Sequence, residues 1–193
     1  MAETGKHIVL GITGGIAAYK SLTLIRLFKS HGYEVRVTAT RHALEFVTPL
    51  TIETLSQNKL YSELFDPTEH RDVQHISMAD WADCVVVAPA TANIIGKYAH
   101  GIADDALSTL LLAAPKPIFI APAMNDRMFA EPTVQHNIEL LRQKGCHIID
   151  PQSGFLACGT TGTGRMDEPE NIFTIVHQHL QTPQLLSGKK VMI

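Results

Sequence analysis

The stretch from Ile8 to Lys20 (IVLGITGGIAAYK) joins an apolar run, through the turn Thr13-Gly14-Gly15, to a helical segment. In an open α/β sheet, the turn after the first strand can hold a phosphate. Backbone N–H groups and the positive end of the helix dipole face the anion there, and glycines let it come close. The stretch therefore predicts a phosphate-binding turn near the start of the chain.

The residues that follow the predicted second strand, Glu34–Thr38, indicate which kind of nucleotide the site would bind. An NAD site needs an Asp or Glu there for the ribose hydroxyls, whereas this chain has Thr40, Arg41 and His42, which suit a second phosphate contact. Neither the dinucleotide motif G-x-G-x-x-G nor the P-loop motif G-x-x-x-x-G-K-[ST] is present. A mononucleotide is therefore favoured. An NADP-dependent reductase, with Arg41 on the 2′-phosphate, is a weaker alternative.

Two later strands also end in polar loops. Cys84–Ala88 leads into Pro89–Asn93 (PATAN), and Pro117–Ala121 leads into Pro122–Met128 (PAMNDRM). The threonine and asparagine side chains of these loops either bind a ligand or cap the helices that follow. Because the carboxyl ends of parallel strands share one edge, we expect both loops and the glycine turn to form one site.

Residues 154–166 (GFLACGTTGTGRM) contain glycines at 154, 159, 162 and 164 and show no helical or alternating period. Such a segment forms neither a stable helix nor a core strand, so we expect a mobile lid or clamp. Cys158 lies in this polar loop, where a thiol has no evident packing role, and is a candidate functional residue. Arg165 either meets a substrate phosphate or is a solvated charge.

The remaining histidines and cysteines have weaker functional signals. His75 precedes a short helix, where a histidine is more often a surface or capping residue than a base. Cys84 and Cys146 lie in predicted strands and are expected to be small core residues. His177 and His179 are two apart on a helix and face different ways, so no metal site is predicted.

The elements that must position these residues alternate between strand and helix patterns, which indicates an α/β fold with a parallel sheet. The predicted strands are His7–Ile12, Glu34–Thr38, Leu60–Phe65, Cys84–Ala88, Pro117–Ala121 and Cys146–Ile149. The predicted helices are Gly15–His31, Pro49–Gln57, His75–Asp83, Ile94–His100, Ala103–Ala113, Thr133–Lys144 and Asn171–Gln181.

Composition excludes several classes of protein. The net charge of −3 gives no field for nucleic acid or an anionic membrane, and no apolar run approaches the ~20 residues that a bilayer needs. Three cysteines without CxxC spacing indicate a reducing compartment, which predicts a cytoplasmic protein. Residues 1–181 are predicted to be one domain. Residues 182–188 read as a linker, and 189–193 as the opening of a strand in a following domain.

Several of these motifs occur together, in order, in a known family. They are ITGGIAA (12–18), His75, PATAN (89–93), PAMNDRM (122–128) and Ala-Cys-Gly (157–159). Over about residues 5–181 the chain resembles the homo-oligomeric flavin-containing cysteine decarboxylases. It most resembles the members in which a phosphopantothenoylcysteine (PPC) decarboxylase domain is fused to a phosphopantothenate–cysteine ligase domain. Two motifs depart from the family pattern: Phe129 replaces a usual Trp, and Thr91-Ala-Asn-Ile94 stands where many relatives have Ser-Ala-Asn-Thr.

The resemblance implies a Rossmann-like (flavodoxin-like) three-layer fold with a six-stranded parallel sheet of order 3-2-1-4-5-6. It implies that His75 is the base, that Asn125 holds the substrate carboxylate and that Cys158 donates a proton late in the cycle, with Phe155 and Ala157 also at the substrate. The residues it implies for FMN binding are Gly14, Gly15, Ile16, Thr40, His42, Thr91, Ala92, Asn93, Ile94 and Ala123.

The activity implied is FMN-dependent decarboxylation of 4′-phosphopantothenoyl-L-cysteine to 4′-phosphopantetheine in coenzyme A biosynthesis. It proceeds by flavin oxidation to a thioaldehyde, loss of CO2 and re-reduction of the enethiol. The implied partners are a C-terminal ligase domain, of which 182–193 would be the linker and first strand, and further copies of the chain, as trimers that assemble into a dodecamer with FMN at a subunit interface. The alternatives are a peptidyl-cysteine decarboxylase, a flavin prenyltransferase and a non-catalytic FMN-binding regulatory subunit.

Overall fold

The computed structural model describes residues 5–63, 74–115, 117–155, 159 and 161–181. The strands are β1 (His7–Ile12), β2 (Glu34–Ala39), β3 (Cys84–Ala90), β4 (Ile118–Pro122), β5 (His147–Ile148), β6 (Gln152–Phe155) and β7 (Thr161–Arg165). The helices are α1 (Ala18–Ser30), α2 (Pro49–Ser56), α3 (Gln74–Trp81), α4 (Ala92–His100), α5 (Ala106–Ala113), α6 (Asp126–Ala130), α7 (Pro132–Gln143) and α8 (Pro169–Gln181).

The central sheet is parallel and has the strand order β2-β1-β3-β4-β5. The order reverses beside β1, because β2 pairs with one edge of β1 and β3 with the other. This doubly wound arrangement creates a crevice outside the carboxyl ends of β1 and β3, which is where ligands bind in open α/β sheets. The parallel α/β prediction is confirmed.

The predicted six-stranded sheet is wrong for the described residues, since the segment expected to be the third strand forms only one isolated bridge, Thr38 to Tyr61. The Tyr61 backbone bonds to Val37 and Ala39 on β2. One residue earlier, the Leu60 N–H donates to the Glu53 carboxylate (3.0 Å) instead of to a strand. Since the Tyr61 N–H and C=O both face β2, the Leu60 N–H faces the other way, and its bond to Glu53 ties this segment to α2. Residues 64–73 lie outside the described part of the chain.

Helices cover both faces of the central sheet, so the fold has three layers. One apolar cluster joins α1, α2 and α8 to one face of β1, and the other joins α3, α4, α5 and α7 to the opposite face. Every residue of β3 is buried, as expected of a parallel strand covered on both sides.

The two cysteines expected in the core are there. Cys84 and Cys146 are both buried and unbridged, and burial raises the pKa of the Cys84 thiol to about 12. A thiol with so high a pKa stays protonated at neutral pH and is inert as a nucleophile. The histidines of α8 face different ways, as predicted: His177 stacks on Phe173, and His179 packs edge-on against Phe119.

The described residues of the glycine-rich segment take part in two strands that the sequence does not predict. Strands β6 and β7 pair as an antiparallel hairpin separate from the central sheet. The segment lacks the apolar period of a core strand, but backbone pairing between the two strands does not require apolar side chains. No helix among the described residues is long and apolar enough to cross a membrane.

Candidate functional site

A cavity of about 850 Å³ opens at the carboxyl edge of the sheet, where the chain leaves β1, β2, β3 and β4. The β6–β7 hairpin supplies part of its wall, through Phe155, Gly164 and Arg165. The cavity therefore lies at the crevice where the strand order reverses. Its volume falls within the range of about 300–1,000 Å³ usual for small-molecule and cofactor sites.

The structure brings all ten residues expected to bind FMN to this one cavity. They line it as Gly14, Gly15, Ile16, Thr40, His42, Thr91, Ala92, Asn93, Ile94 and Ala123. They come from four separate loops, each following a strand, so the parallel sheet is what assembles them. Their contact with a cofactor stays a prediction.

The glycine turn after β1 is packed directly against the chain that follows β2. A Cβ built on Gly14 would lie 2.4 Å from the Cβ of His42 and 2.9 Å from its carbonyl carbon. No side chain fits there, so glycine is required by close approach. The turn then starts α1, with the Ala18 N–H donating to the Gly15 carbonyl (2.9 Å).

Thr13 joins the ends of β1 and β3 beneath the cavity. Its hydroxyl is buried, donates to the Pro89 carbonyl (2.7 Å) and accepts the Thr91 N–H (3.1 Å). These two bonds fix the Pro89–Asn93 loop against the glycine turn. Thr91 occupies the N-cap position of α4, but its side chain makes no capping bond. Sequence reasoning assigned Thr13 no role; the available signal was a threonine between an apolar strand and two glycines.

Asn125 lines the cavity and also caps α6. Its Oδ1 accepts the Arg127 N–H at 2.9 Å. This bond fixes the amide plane and gives the NH2 group the role of donor. The sequence allows two interpretations of Asn125, a helix cap and a ligand contact. Both can therefore hold at the same time.

The hairpin is attached to the loop that carries Asn125. The Met124 N–H donates to the Gly164 carbonyl (2.9 Å). Gly164 has φ +152, and a Cβ there would lie 2.3 Å from the Met124 carbonyl oxygen. Any side chain at this position would separate β7 from the loop. The hairpin and the Asn125 loop are thus one structural unit.

Of the other residues expected at the active site, Phe155 lines the cavity, His75 does not, and two lie outside the described residues. His75 lies near the start of α3, half-buried, and is not among the residues that line the cavity. Phe155 is at the cavity mouth and is 71% exposed. Ala157 and Cys158 lie outside the described residues, so their placement is not tested.

The two departures from the family pattern occupy different environments. Ile94 is buried on α4 and lines the cavity, so its side chain faces the ligand space. Phe129 is partly buried against the apolar cluster that contains Ile138 and Leu141 and is not a lining residue. The replacement at 94 therefore bears on the ligand, and that at 129 on packing behind the Asn125 loop.

Two clusters of opposite net charge lie at the cavity. In one, the Lys97 ammonium pairs with Asp104 (2.6 Å) and Asp105 (2.7 Å). In the other, Glu168 pairs with Lys20 (2.9 Å) and with Arg165. Hydrogen bonding from Lys20 lowers the pKa of Glu168 below its ordinary value. Burial acts to raise the pKa of Asp105, but bonds from Lys97 and Ser108 outweigh it and hold the pKa low. Asp105 and Glu168 are therefore charged at neutral pH.

We expect Asp105→Ala to lower the free energy of unfolding by about 1–2 kcal/mol, because Asp105 caps α5 through the Ser108 N–H (2.8 Å) in a reciprocal capping box. Urea denaturation measures the loss. Asp104→Ala is the matched control, since it removes an exposed partner of Lys97 and a long bond from the Ser108 hydroxyl (3.4 Å) but leaves the capping box, and it should cost less than about 1 kcal/mol. Equal losses in the two variants would contradict the capping argument.

The sheet order, the glycine turn and the cavity at the reversal point define a flavodoxin-like α/β protein with a ligand site. Residues 1–181 match the family described as Flavoprotein, and the chain belongs to that family. It is 48% identical over 193 residues to the coenzyme A biosynthesis bifunctional protein CoaBC of Haemophilus influenzae, covering 100% of this chain and 48% of the relative. The chain thus spans about half the length of the curated relatives it matches.

Solved structures agree with this family assignment. The fold matches a PPC decarboxylase mutant complexed with pantothenoylaminoethenethiol, with a TM-score of 0.84 and 32% identity over 92% of this chain and 99% of the other. It also matches the FMN-dependent cysteine decarboxylase SpaF, with a TM-score of 0.78 and 30% identity over 93% and 98% of the two chains.

Proposed function

We propose that this chain is an FMN-dependent decarboxylase that converts 4′-phosphopantothenoyl-L-cysteine to 4′-phosphopantetheine. The observation that carries the proposal is the shared cavity, where the ten residues expected at FMN and Asn125 meet at one edge of the sheet. Membership of the flavoprotein family and the likeness to a PPC decarboxylase support it. Fusion to a ligase domain, as the name and length of the CoaBC relative suggest, is part of the same proposal.

The residues present fit FMN. The absence of a side chain at Gly14 lets the chain after β2 pack directly against the α1 turn, so that Thr40 and Thr91 lie beside backbone N–H groups that can hold a phosphate. Apolar Ile16, Ile94 and Ala123 can pack against a ring system. Bound FMN would supply a two-electron acceptor for the thiol-bearing carbon of the substrate, which is the chemistry that no side chain offers.

Asn125 would orient the substrate carboxylate through its amide NH2. A neutral donor holds the carboxylate without a full ion pair, so the charge is not stabilised so strongly that CO2 loss is opposed. Phe155 and the hairpin would cover the reacting carbon and exclude water. Cys158 would donate a proton late in the cycle, as the resemblance implies.

His75 would act as the base from a second copy of the chain. It is not at the cavity of its own copy, and the cavity rim exposes large apolar side chains, with Ile16 59% and Tyr19 57% exposed. Apolar rims of this kind are typical of surfaces that a partner covers. We propose that copies assemble with the cavity at their interface, in trimers that form a dodecamer, as the resemblance implies.

Mixing two inactive variants tests this arrangement. His75→Asn and Asn125→Asp should each fail to convert the substrate alone. If the two residues of one site come from different copies, co-expressed variants should regain activity at about one site in four by random mixing. Each variant mixed with itself is the control. Inactive mixtures that still assemble and hold flavin would contradict the shared site.

The absorption spectrum and anaerobic turnover test the proposed function itself. The purified protein should be yellow, with bands at about 370 and 450 nm from bound flavin, and should release CO2 and phosphopantetheine from the substrate. A colourless protein that acquires no flavin bands when FMN is added would contradict the proposal. Cys158→Ala that releases fully reduced product at the normal rate would exclude Cys158 as the acid.

A peptidyl-cysteine decarboxylase is the second candidate, favoured by the likeness to SpaF. A peptide that ends in cysteine distinguishes the two. Conversion of the peptide but not of the phosphopantothenoyl compound would support this second candidate against the first.

A further inference from the structure

Arg165 lines the cavity, and its guanidinium is paired with the carboxylate of Glu168. It ends β7, and its Nη2 donates to Glu168 Oε1. The other oxygen of Glu168 accepts from Lys20 Nζ at 2.9 Å, and Lys20 is 8% exposed on α1. Lys20 lies 148 residues from Glu168 in sequence, so the tertiary fold brings this ammonium to the carboxylate, which lies only three residues after Arg165.

This orientation leaves Arg165 able to bind a ligand. A guanidinium carries five N–H donors in a planar fork, and the Glu168 contact uses Nη2. Glu168 is one carboxylate paired with two cations, Lys20 and Arg165. It therefore fixes the orientation of the guanidinium while a net positive charge remains. Planar forks of this kind bind phosphate oxygens in pairs.

The charged side chains around the cavity are distributed unevenly, so the electrostatic potential differs between its two sides. On the hairpin side two cations, Lys20 and Arg165, line the cavity and no carboxylate of the described residues does; Arg41 lines it beside the turn expected for the FMN phosphate. The side between α4 and α5 has one cation, Lys97, for two carboxylates. An elongated ligand with one anionic end is therefore attracted toward the hairpin with that end.

We infer that Arg165 recognises the phosphate monoester at the end of the substrate, and that Glu168, held by Lys20, is the positioning residue for its guanidinium. This inference rests on the proposed function, which supplies a substrate with a phosphate. FMN has the same chemical group, but its phosphate is expected at the Gly14–Gly15 turn, which leaves the cation on the hairpin for the substrate.

Binding measurements on the FMN-loaded protein test the inference without turnover. Isothermal titration calorimetry gives the dissociation constants of phosphopantetheine and of pantetheine. The ratio of the two constants, the preference ratio, measures the contribution of the phosphate, because the compounds differ only in that group. Arg165→Gln should weaken binding of the phosphorylated compound by about 10- to 30-fold, the effect of losing a charged hydrogen bond, and leave pantetheine unchanged. Glu168→Gln should lower the ratio by about threefold, because the guanidinium keeps its charge but loses a charged partner. Arg165→Lys should restore part of the ratio.

Arg142→Gln is the matched control, since Arg142 is an exposed arginine paired with Asp150 away from the cavity; it should leave the ratio at the wild-type value. An unchanged ratio in Arg165→Gln would overturn the inference. So would loss of FMN affinity in that variant with the ratio unchanged, since Arg165 would then serve the cofactor phosphate. A protein that shows the expected ratios but converts no substrate would contradict the proposed function and leave the assignment of Arg165 supported.

Discussion

Gly14→Ala is expected to lose bound flavin, with FMN affinity lowered by about 100-fold and the free energy of unfolding by about 1–3 kcal/mol. An alanine Cβ would lie 2.4 Å from the His42 Cβ and 3.0 Å from the His42 carbonyl oxygen. Both contacts are to rigid atoms, so the loops after β1 and β2 must separate. The separation displaces the backbone N–H groups that would hold the phosphate.

Fluorescence titration with FMN and urea denaturation measure the two effects. Gly96→Ala is the matched control. A Cβ there meets the Asn137 side-chain amide at 3.6 Å, an ordinary contact, and alanine is about 1 kcal/mol better than glycine within a helix. The control should therefore keep its flavin and be as stable as the unchanged protein or up to about 1 kcal/mol more stable. Normal FMN affinity in Gly14→Ala would contradict the location of the phosphate at this turn.

Asn125→Asp is expected to reduce kcat/KM for decarboxylation by about 100-fold or more. Aspartate still caps α6, because a carboxylate accepts the Arg127 N–H as well as an amide oxygen does. It donates no hydrogen bond, however, and it sets a negative charge against the substrate carboxylate, which costs several times the loss of the bond alone. The fold should survive while the reaction fails.

The product provides the control for this variant. Phosphopantetheine has no carboxylate, so its affinity for Asn125→Asp should equal that for the unchanged protein. The unfolding midpoint and the flavin spectrum should also be unchanged. If product and substrate binding fell equally, the defect would be structural and Asn125 would not be a carboxylate contact.

The error in the sheet shows the limit of reading strands from apolar pattern. Leu60–Phe65 has the composition of a strand, but among its described residues, 60–63, only Tyr61 bridges to β2, and the Leu60 N–H bonds to Glu53 on α2. Composition indicates that a segment can pair with a strand. It does not indicate how many of its residues will pair, because that depends on contacts with other elements.

The hairpin shows the opposite case. The glycines of residues 154–164 correctly excluded a helix and a core strand, yet β6 and β7 pair with each other. The two close approaches that require glycine, Gly162 against Asp126 and Gly164 against Met124, join the hairpin to a loop about 40 residues earlier. A glycine in the sequence can indicate that another part of the chain packs closely against it, but the fold decides which part that is.

By itself the sequence determined the parallel α/β class, the strand–turn–helix at Gly14, the loops that line the cavity and the buried cysteines. These depend on apolar period, glycine and the common direction of parallel strands, which short stretches of chain encode. Tertiary structure alone decided the bridge through Thr13, the ion pair of Glu168 with Lys20, and the position of His75 outside the cavity that Asn125 lines. Each of these depends on which distant segments meet, and such contacts form only when the whole core packs.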